Sequence, residues 1–243
     1  MCGRFILISS QKELTEEYGL IETPEVRPRY NIAPSQEIAA IRYTSGAPNN
    51  RELIFLQWGL IPFWSKDPFK SSGLINARSE TIDSKPAFKS CLKKRRVLIP
   101  SNGFYEWRKS ATGFKQAYLI HFRNHRLLSL AGIYDEWEAP SRNNVRTCAI
   151  ITTESNDDLK TIHDRMPVII KRKDYALWLE SENIDCKKFR GMFRSDNTPD
   201  LEILPVGSRV NNPGYDASDC MEPLGEICEK AELFDETSLF SSR

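Results

Sequence analysis

A chain of 243 residues, 40 % hydrophobic and 28 % charged, has the length for one large core and the composition of a soluble globular protein. No apolar run approaches the roughly 18 residues of a membrane span, and no basic-then-apolar leader opens the chain, which argues for a cytoplasmic protein. The net charge of +1 conceals an asymmetry: residues 216–243 hold eight acids against Lys230 and Arg243, leaving +7 on the remainder. A basic body with an acidic tail is compatible with nucleic acid and equally with a solvated surface, so charge alone does not choose.

At the start of the chain stands Met1-Cys2-Gly3-Arg4-Phe5. Cys2 is small enough for Met1 to be trimmed, which would leave a free α-amine and a thiol on neighbouring carbons. The amine would titrate near about 8 and the thiol near about 8.5, so a fraction of each is nucleophilic at neutral pH. With an aldehyde this β-aminothiol forms an imine and then a thiazolidine. The six cysteines (Cys2, Cys91, Cys148, Cys186, Cys220 and Cys228) lack metal-ligand or disulfide spacing. Neither a metal nor another cofactor is expected, and a reducing compartment fits.

Phe5 to Ile8 reads as a short buried strand. Ser10 with Glu13 three residues on is a capping-box pattern, and Leu14, Tyr18 and Gly19 predict a short helix ending at the glycine. Pro24, Pro28 and Pro34 frame a non-helical stretch. Strands are expected at 37–42 and 53–58, with a turn over 45–50 between them. Trp58 to Trp64 holds a proline and two tryptophans, a loop that fixes aromatic rings for the core or for nucleobases. A short helix should run through Phe88 and Leu92. The run Lys93-Lys94-Arg95-Arg96 suits either solvent or phosphate.

From Val97 onward strands are predicted at 97–100, 103–107, 117–122, 127–133 and 146–152, with turns over 109–115 and 139–144. Helical stretches are expected at 174–180 and 186–193. A last strand follows from 201–204 and 208–210. The pattern is one α+β domain, mostly antiparallel sheet, over residues 1–215, followed by an acidic tail over 216–243 that is expected to be disordered.

Four polar residues stand out for chemistry. His163 lies in a His-Asp-Arg cluster and could move protons near neutral pH, whereas His121 and His125 look structural. Glu106 shares a strand face with Phe104 while Tyr105 and Trp107 share the other. Its aromatic flanks suit a desolvated acid–base carboxylate, or it is an ordinary outward-facing glutamate. Asn76 and Arg78, two apart, project to one side of an extended segment, where an amide can hold an amine or sugar oxygen and a guanidinium can hold phosphate.

Taken together, MCGRF, RYNIAPSQ, WGLIPFW, INARSET, GFYEW, IHDRMPVII and a further echo at Val210-Asn211-Asn212-Pro213 closely resemble the SRAP family, named SOS-response-associated peptidase. The resemblance implies a single domain with sheets curled into a barrel-like core and peripheral helices. It implies a monomeric sensor and shield of abasic sites in single-stranded DNA, nucleoid-associated if bacterial. Cys2 would be the nucleophile after Met1 removal and would close a thiazolidine crosslink, possible to reverse. Asn76 would position amine and sugar, Glu106 would serve the Schiff-base step, and His163 would shuttle protons at the opened sugar. Arg4, Arg78 and Arg165 would hold phosphates, and Asn31, Pro34 and Trp64 would line the nucleic-acid channel. Two other readings stay open: an N-terminal-nucleophile cysteine peptidase or amidohydrolase, and a non-covalent binder of modified or single-stranded DNA.

Overall fold

The computed structural model describes residues 2–44, 50–66, 73–110, 112–138, 144–180, 189–195 and 200–224. Its centre is a closed ring of five strands: β3 (Glu37–Tyr43), β4 (Arg51–Trp58), β6 (Arg96–Ser101), β9 (Leu128–Glu138) and β10 (Asn144–Glu154). Neighbours are antiparallel except β10 and β4, which run parallel with Cys148 opposite Trp58. The β9–β10 pairing, from Asn144 opposite Glu138 to Ile150 opposite Gly132, closes the barrel and removes its edges. The second half of β10 carries two short additions, β5 (Asn76–Arg78) in parallel and β11 (Arg165–Pro167) antiparallel.

A second, open sheet packs alongside in the order β12, β8, β7, β1, β2. It comprises β1 (Phe5–Leu7), β2 (Arg29–Ile32), β7 (Gly103–Lys109), β8 (Lys115–Phe122) and β12 (Leu201–Val206). Pro205 lies in β12, at the sheet's edge, where a missing N–H is tolerated. One apolar cluster joins the barrel interior to the inner face of this sheet through Phe5, Trp58, Phe104 and Ile120. A smaller cluster of Ile6, Tyr105, Leu119, Val206, Val210 and Cys220 covers the outer face.

Helices stay peripheral. α1 (Gln11–Tyr18) has the expected capping box between Ser10 and Glu13, and it stops at Gly19, whose φ of 64° favours glycine. α2 (Pro86–Lys94) packs on β9 and β6, α3 (Asp157–Lys160) is a single turn, and α4 (Tyr175–Glu180) packs on β6. Among the described residues no helix is long and apolar enough to cross a membrane.

Several expectations change. Ser208–Asn211 is a 3-10 turn and not a strand, because Val210 is drawn into the outer cluster instead of continuing β12. Residues 216–224, assigned to the tail on composition, pack on the domain: Asp216 accepts from the amides of Tyr30 and Asn31, and Cys220 is fully buried. Nearly all of the 45–50 turn, the 139–144 turn except Asn144, and the first part of the 186–193 helix lie outside the described residues, and 189–193 forms turns.

Candidate active site

Cys2 stands where the two sheets meet. β1 pairs with β7 through Phe5 opposite Phe104 and Ile6 opposite Gly103, and the Tyr105 amide donates to the Arg4 carbonyl at 2.9 Å. Gly103 is required for this approach, since a Cβ there would lie 2.9 Å from the Ile120 carbonyl oxygen. The ladder therefore fixes Cys2 next to Glu106. Strand alternation sends Phe104 and Glu106 inward and Tyr105 and Trp107 outward, as the sequence pattern predicts.

Glu106 is only 3 % exposed. Burial raises its carboxyl above the ordinary range, against the opposing pull of His163 and a backbone hydrogen bond at Trp107. Cys2 is fully buried, and that burial, reinforced by the nearby Glu106, pushes its thiol well up. The sulfur is therefore held as a neutral thiol. From the barrel side, β5 brings in Asn76, whose Nδ2 donates to the Cys2 carbonyl at 2.9 Å. The Asn76 Oδ1 is buried with no hydrogen-bond partner among the described residues, an acceptor open to a ligand.

A cleft of ≈ 810 Å³ opens over this corner, lined by Arg4, Glu106, Trp107, the basic end of the β7–β8 hairpin and residues 161–164. The His163 amide donates to Leu159 at the end of α3, fixing the backbone before β11. Its Nδ1 lies 3.0 Å from the Arg165 amide nitrogen and 2.8 Å from Asp164 Oδ1. One protonation state cannot satisfy both. Since the amide must donate, Nδ1 is the acceptor in that bond, Nε2 is left to face the cleft chemistry, and the Asp164 side chain is exposed.

Arg4 donates to Asn31 Oδ1 at 2.8 Å and to the Val210 carbonyl at 2.7 Å, and its guanidinium lies over the Trp107 ring. Burial lowers its pKa, and its Nε has no partner among the described residues. Asn31 is itself fully buried, with Nδ2 donating to the carbonyls of Val210, Asn212 and Tyr215. It reaches the cleft only through Arg4, because every polar atom of its side chain is used inside the fold. Arg165 forms a two-pronged pair with Glu80 at 2.7 and 3.0 Å and also bonds the Thr152 carbonyl. Burial would raise the Glu80 carboxyl, but the Arg165 bonds outweigh it and hold it below its ordinary value. Arg78, one strand away, is exposed and makes no ion pair among the described residues.

Pro34 and Trp64 do not line the cleft with Glu106 and His163. Pro34 is half-buried in a turn tied to the end of β4 by the Ser35 amide and the Trp58 carbonyl. Trp64 and Phe63 project from the following loop, 55 % and 56 % exposed. Three polar anchors hold that loop. Asp135 accepts from the Phe63 amide at 3.0 Å, Thr147 Oγ1 from the Ile61 amide at 2.8 Å, and Trp137 Nε1 donates to the Ser65 carbonyl at 2.7 Å. Asp135, 1 % exposed, also pairs with Arg95 at 2.9 Å. Sequence reasoning missed Asp135, although an acid directly continuing the apolar strand Leu128-Ser-Leu-Ala-Gly-Ile-Tyr134 was its signal. The basic run is likewise divided: Arg96 is buried and caps α2 through the Leu92 and Lys93 carbonyls, so only Lys93 and Lys94 face out fully.

Cys2, Cys91, Cys148 and Cys220 are free thiols, and no cluster of metal-ligating side chains occurs among the described residues. His121 and His125 stack on each other with ring centres 5.0 Å apart and do not line the cleft.

A barrel with a buried second-residue cysteine, a raised carboxyl, an asparagine and a histidine gathered at its seam defines the class. The chain belongs to the SOS response associated peptidase (SRAP) family, whose model matches residues 1–213. It is 37 % identical over 225 residues to the abasic site processing protein YoqW of Bacillus subtilis (strain 168), covering 91 % of this chain and 99 % of that one. Against the abasic site processing protein HMCES of Gallus gallus it is 32 % identical over 231 residues, covering 82 % and 67 %. A crystal structure of a Bacteroides thetaiotaomicron protein has the same fold, with a TM-score of 0.81 at 22 % identity over 92 % of this chain and 100 % of that one.

Proposed function

We propose that this protein processes abasic sites in single-stranded DNA by trapping the sugar aldehyde on Cys2 once Met1 has been removed. The observation that carries this reading is the seating of Cys2: fully buried, beside Glu106, with Asn76 Nδ2 on its carbonyl. Such a position suits a reacting N-terminal cysteine, because its thiol stands beside a carboxyl and its backbone is fixed by Asn76. The names of YoqW and HMCES, both abasic site processing proteins, support the same reading.

The Cys2 amine adds to the C1′ aldehyde of the ring-opened sugar and forms a carbinolamine, with Asn76 Oδ1 free to accept a hydrogen bond from it. Glu106, whose carboxyl burial raises above its ordinary value, gives a proton to the hydroxyl, which leaves as water, and an iminium remains. The thiol sulfur then adds to the iminium carbon, and its proton returns to the Glu106 carboxylate. The product is a thiazolidine, one water is released and Glu106 is restored. His163 serves the sugar, giving a proton to its ring oxygen as the C1′–O bond breaks and regaining the proton that the C1′ hydroxyl releases on becoming the aldehyde. Arg4 and Arg78 hold phosphates, and Arg165 does so in competition with Glu80. A capped aldehyde no longer supports β-elimination, so the strand stays whole.

The test is a denaturing gel of processed protein with a single-stranded oligonucleotide carrying one abasic site. A shifted band is expected only with that strand, absent for Cys2→Ala and for protein retaining Met1, and with a mass lower than the sum by one water. No band from protein that begins at Cys2 sinks the covalent reading. Amide turnover without an adduct would then favour the N-terminal-nucleophile hydrolase, and reversible retention would favour the non-covalent binder.

A further inference from the structure

The hairpin between β7 and β8 forms one wall of the cleft and carries a set of residues that the crosslinking chemistry does not use. Arg108, Lys109 and Lys115 all line the cleft and are exposed, and the first two follow Glu106 by two and three residues along β7. At 3.2–3.4 Å per strand residue, Lys109 stands about 10 Å from Glu106. Lys109 and Lys115 are direct cross-strand partners. Like charges in that register destabilise a sheet, and neither lysine has a carboxylate or hydrogen-bond partner among the described residues. Between them at the turn, Phe114 is 63 % exposed, one of the few large apolar side chains on the surface. Arg108 is steadied over the Tyr118 ring at 5.2 Å.

An uncompensated lysine pair and a bare aromatic ring, together at the mouth of a cleft, are a local cost to the fold without benefit to it. They match what a single strand of nucleic acid offers, which is a row of phosphates and a π-face on every base. Acidic peptide would satisfy the lysines but gives the ring no counterpart. We propose that the β7–β8 hairpin tip is a docking track for the DNA strand flanking the abasic sugar, with Lys109 and Lys115 on its phosphates and Phe114 stacked on a base. This rests on the abasic-site reading above. It adds a further contact region, at the hairpin tip, to Arg4 at the seam and the arginines of β5 and β11.

The experiment separates the two claims. Equilibrium binding is measured with a labelled single strand carrying a non-aldehydic abasic analogue, which cannot crosslink, across a salt series. Crosslinking of the aldehydic strand is measured in parallel on the same preparations. Removing two phosphate contacts with K109Q and K115Q together should flatten the log K against log salt slope by about 1.4, at 0.7 per phosphate on single strands. F114A should weaken binding on the order of 5- to 100-fold without changing that slope. Lys109→Glu pairs with Lys115, so it should raise or preserve the melting temperature while weakening DNA binding; a purely structural role would move both the same way. Crosslinking at saturating strand should persist in all of them. Wild-type affinity and slope in these variants would overturn the proposal, whereas failure of the wild type itself to crosslink would overturn the abasic-site reading instead.

Discussion

The barrel and the seam beside it solve opposite problems. In the barrel the hydrogen-bond ladder closes on itself, and Trp58, Leu98, Ile133 and Ile150 on its strands have no exposed area. Its largest side chain, Trp58, even satisfies its indole N–H on the Ile75 carbonyl at 2.9 Å. At the seam, Asn76 Oδ1, Arg4 Nε and Arg165 Nε are buried without partners among the described residues. An unsatisfied buried polar atom costs about 1–3 kcal/mol, and a bound ligand recovers that cost. Stability is concentrated where no chemistry occurs, which lets the seam remain incomplete until something enters it.

The contrast can be broken at either side, beginning with the largest effects. Glu106→Gln should slow adduct formation by about 10² to 10⁴-fold, because the leaving hydroxyl loses its acid, read from single-turnover gels. Stability should move the other way. The folded Glu106 carboxyl holds its proton more tightly than in the unfolded chain, so its contribution is present at low pH and is lost as pH rises through the raised value. In the glutamine variant that decline should vanish from denaturation curves taken across pH. A wild-type rate in this variant would remove Glu106 from the mechanism.

In the barrel, Trp58→Ala should cost about 3–5 kcal/mol in chemical denaturation, with any surviving folded protein keeping Cys2 in place. If crosslinking failed while the stability loss stayed small, barrel and seam would not be separable. Asp135→Ala should cost about 1–3 kcal/mol by stripping the Phe63 amide and Arg95 of their acceptor. Limited proteolysis should then cut within 59–66, with Asp135→Asn partly protected, since it keeps an acceptor. Smallest is Ser10→Ala, about 1 kcal/mol through the lost cap of α1 and silent in crosslinking. An activity change there would mean that α1 reports to the site.

The sequence alone determined the elements whose causes are local. The Ser10–Glu13 box and Gly19 bounded α1 because cap chemistry spans only a few residues. Alternation over 103–107 placed Glu106 opposite Tyr105 and Trp107 because a strand has a fixed period of two. The motifs around Cys2, Asn76, Glu106 and His163 were enough to mark the family. What the tertiary structure decided were the partners, since those depend on which distant segments come together. Asn31 became a brace for Arg4, Arg96 a cap for α2, and Asp216, lost in an acidic stretch by composition, a clamp on β2. Asp135 acquired its role only when β9 closed the barrel beneath the Phe63–Trp64 loop. Charge and periodicity act along the chain, whereas burial and hydrogen-bond partnership act across it, and only folding brings the two together.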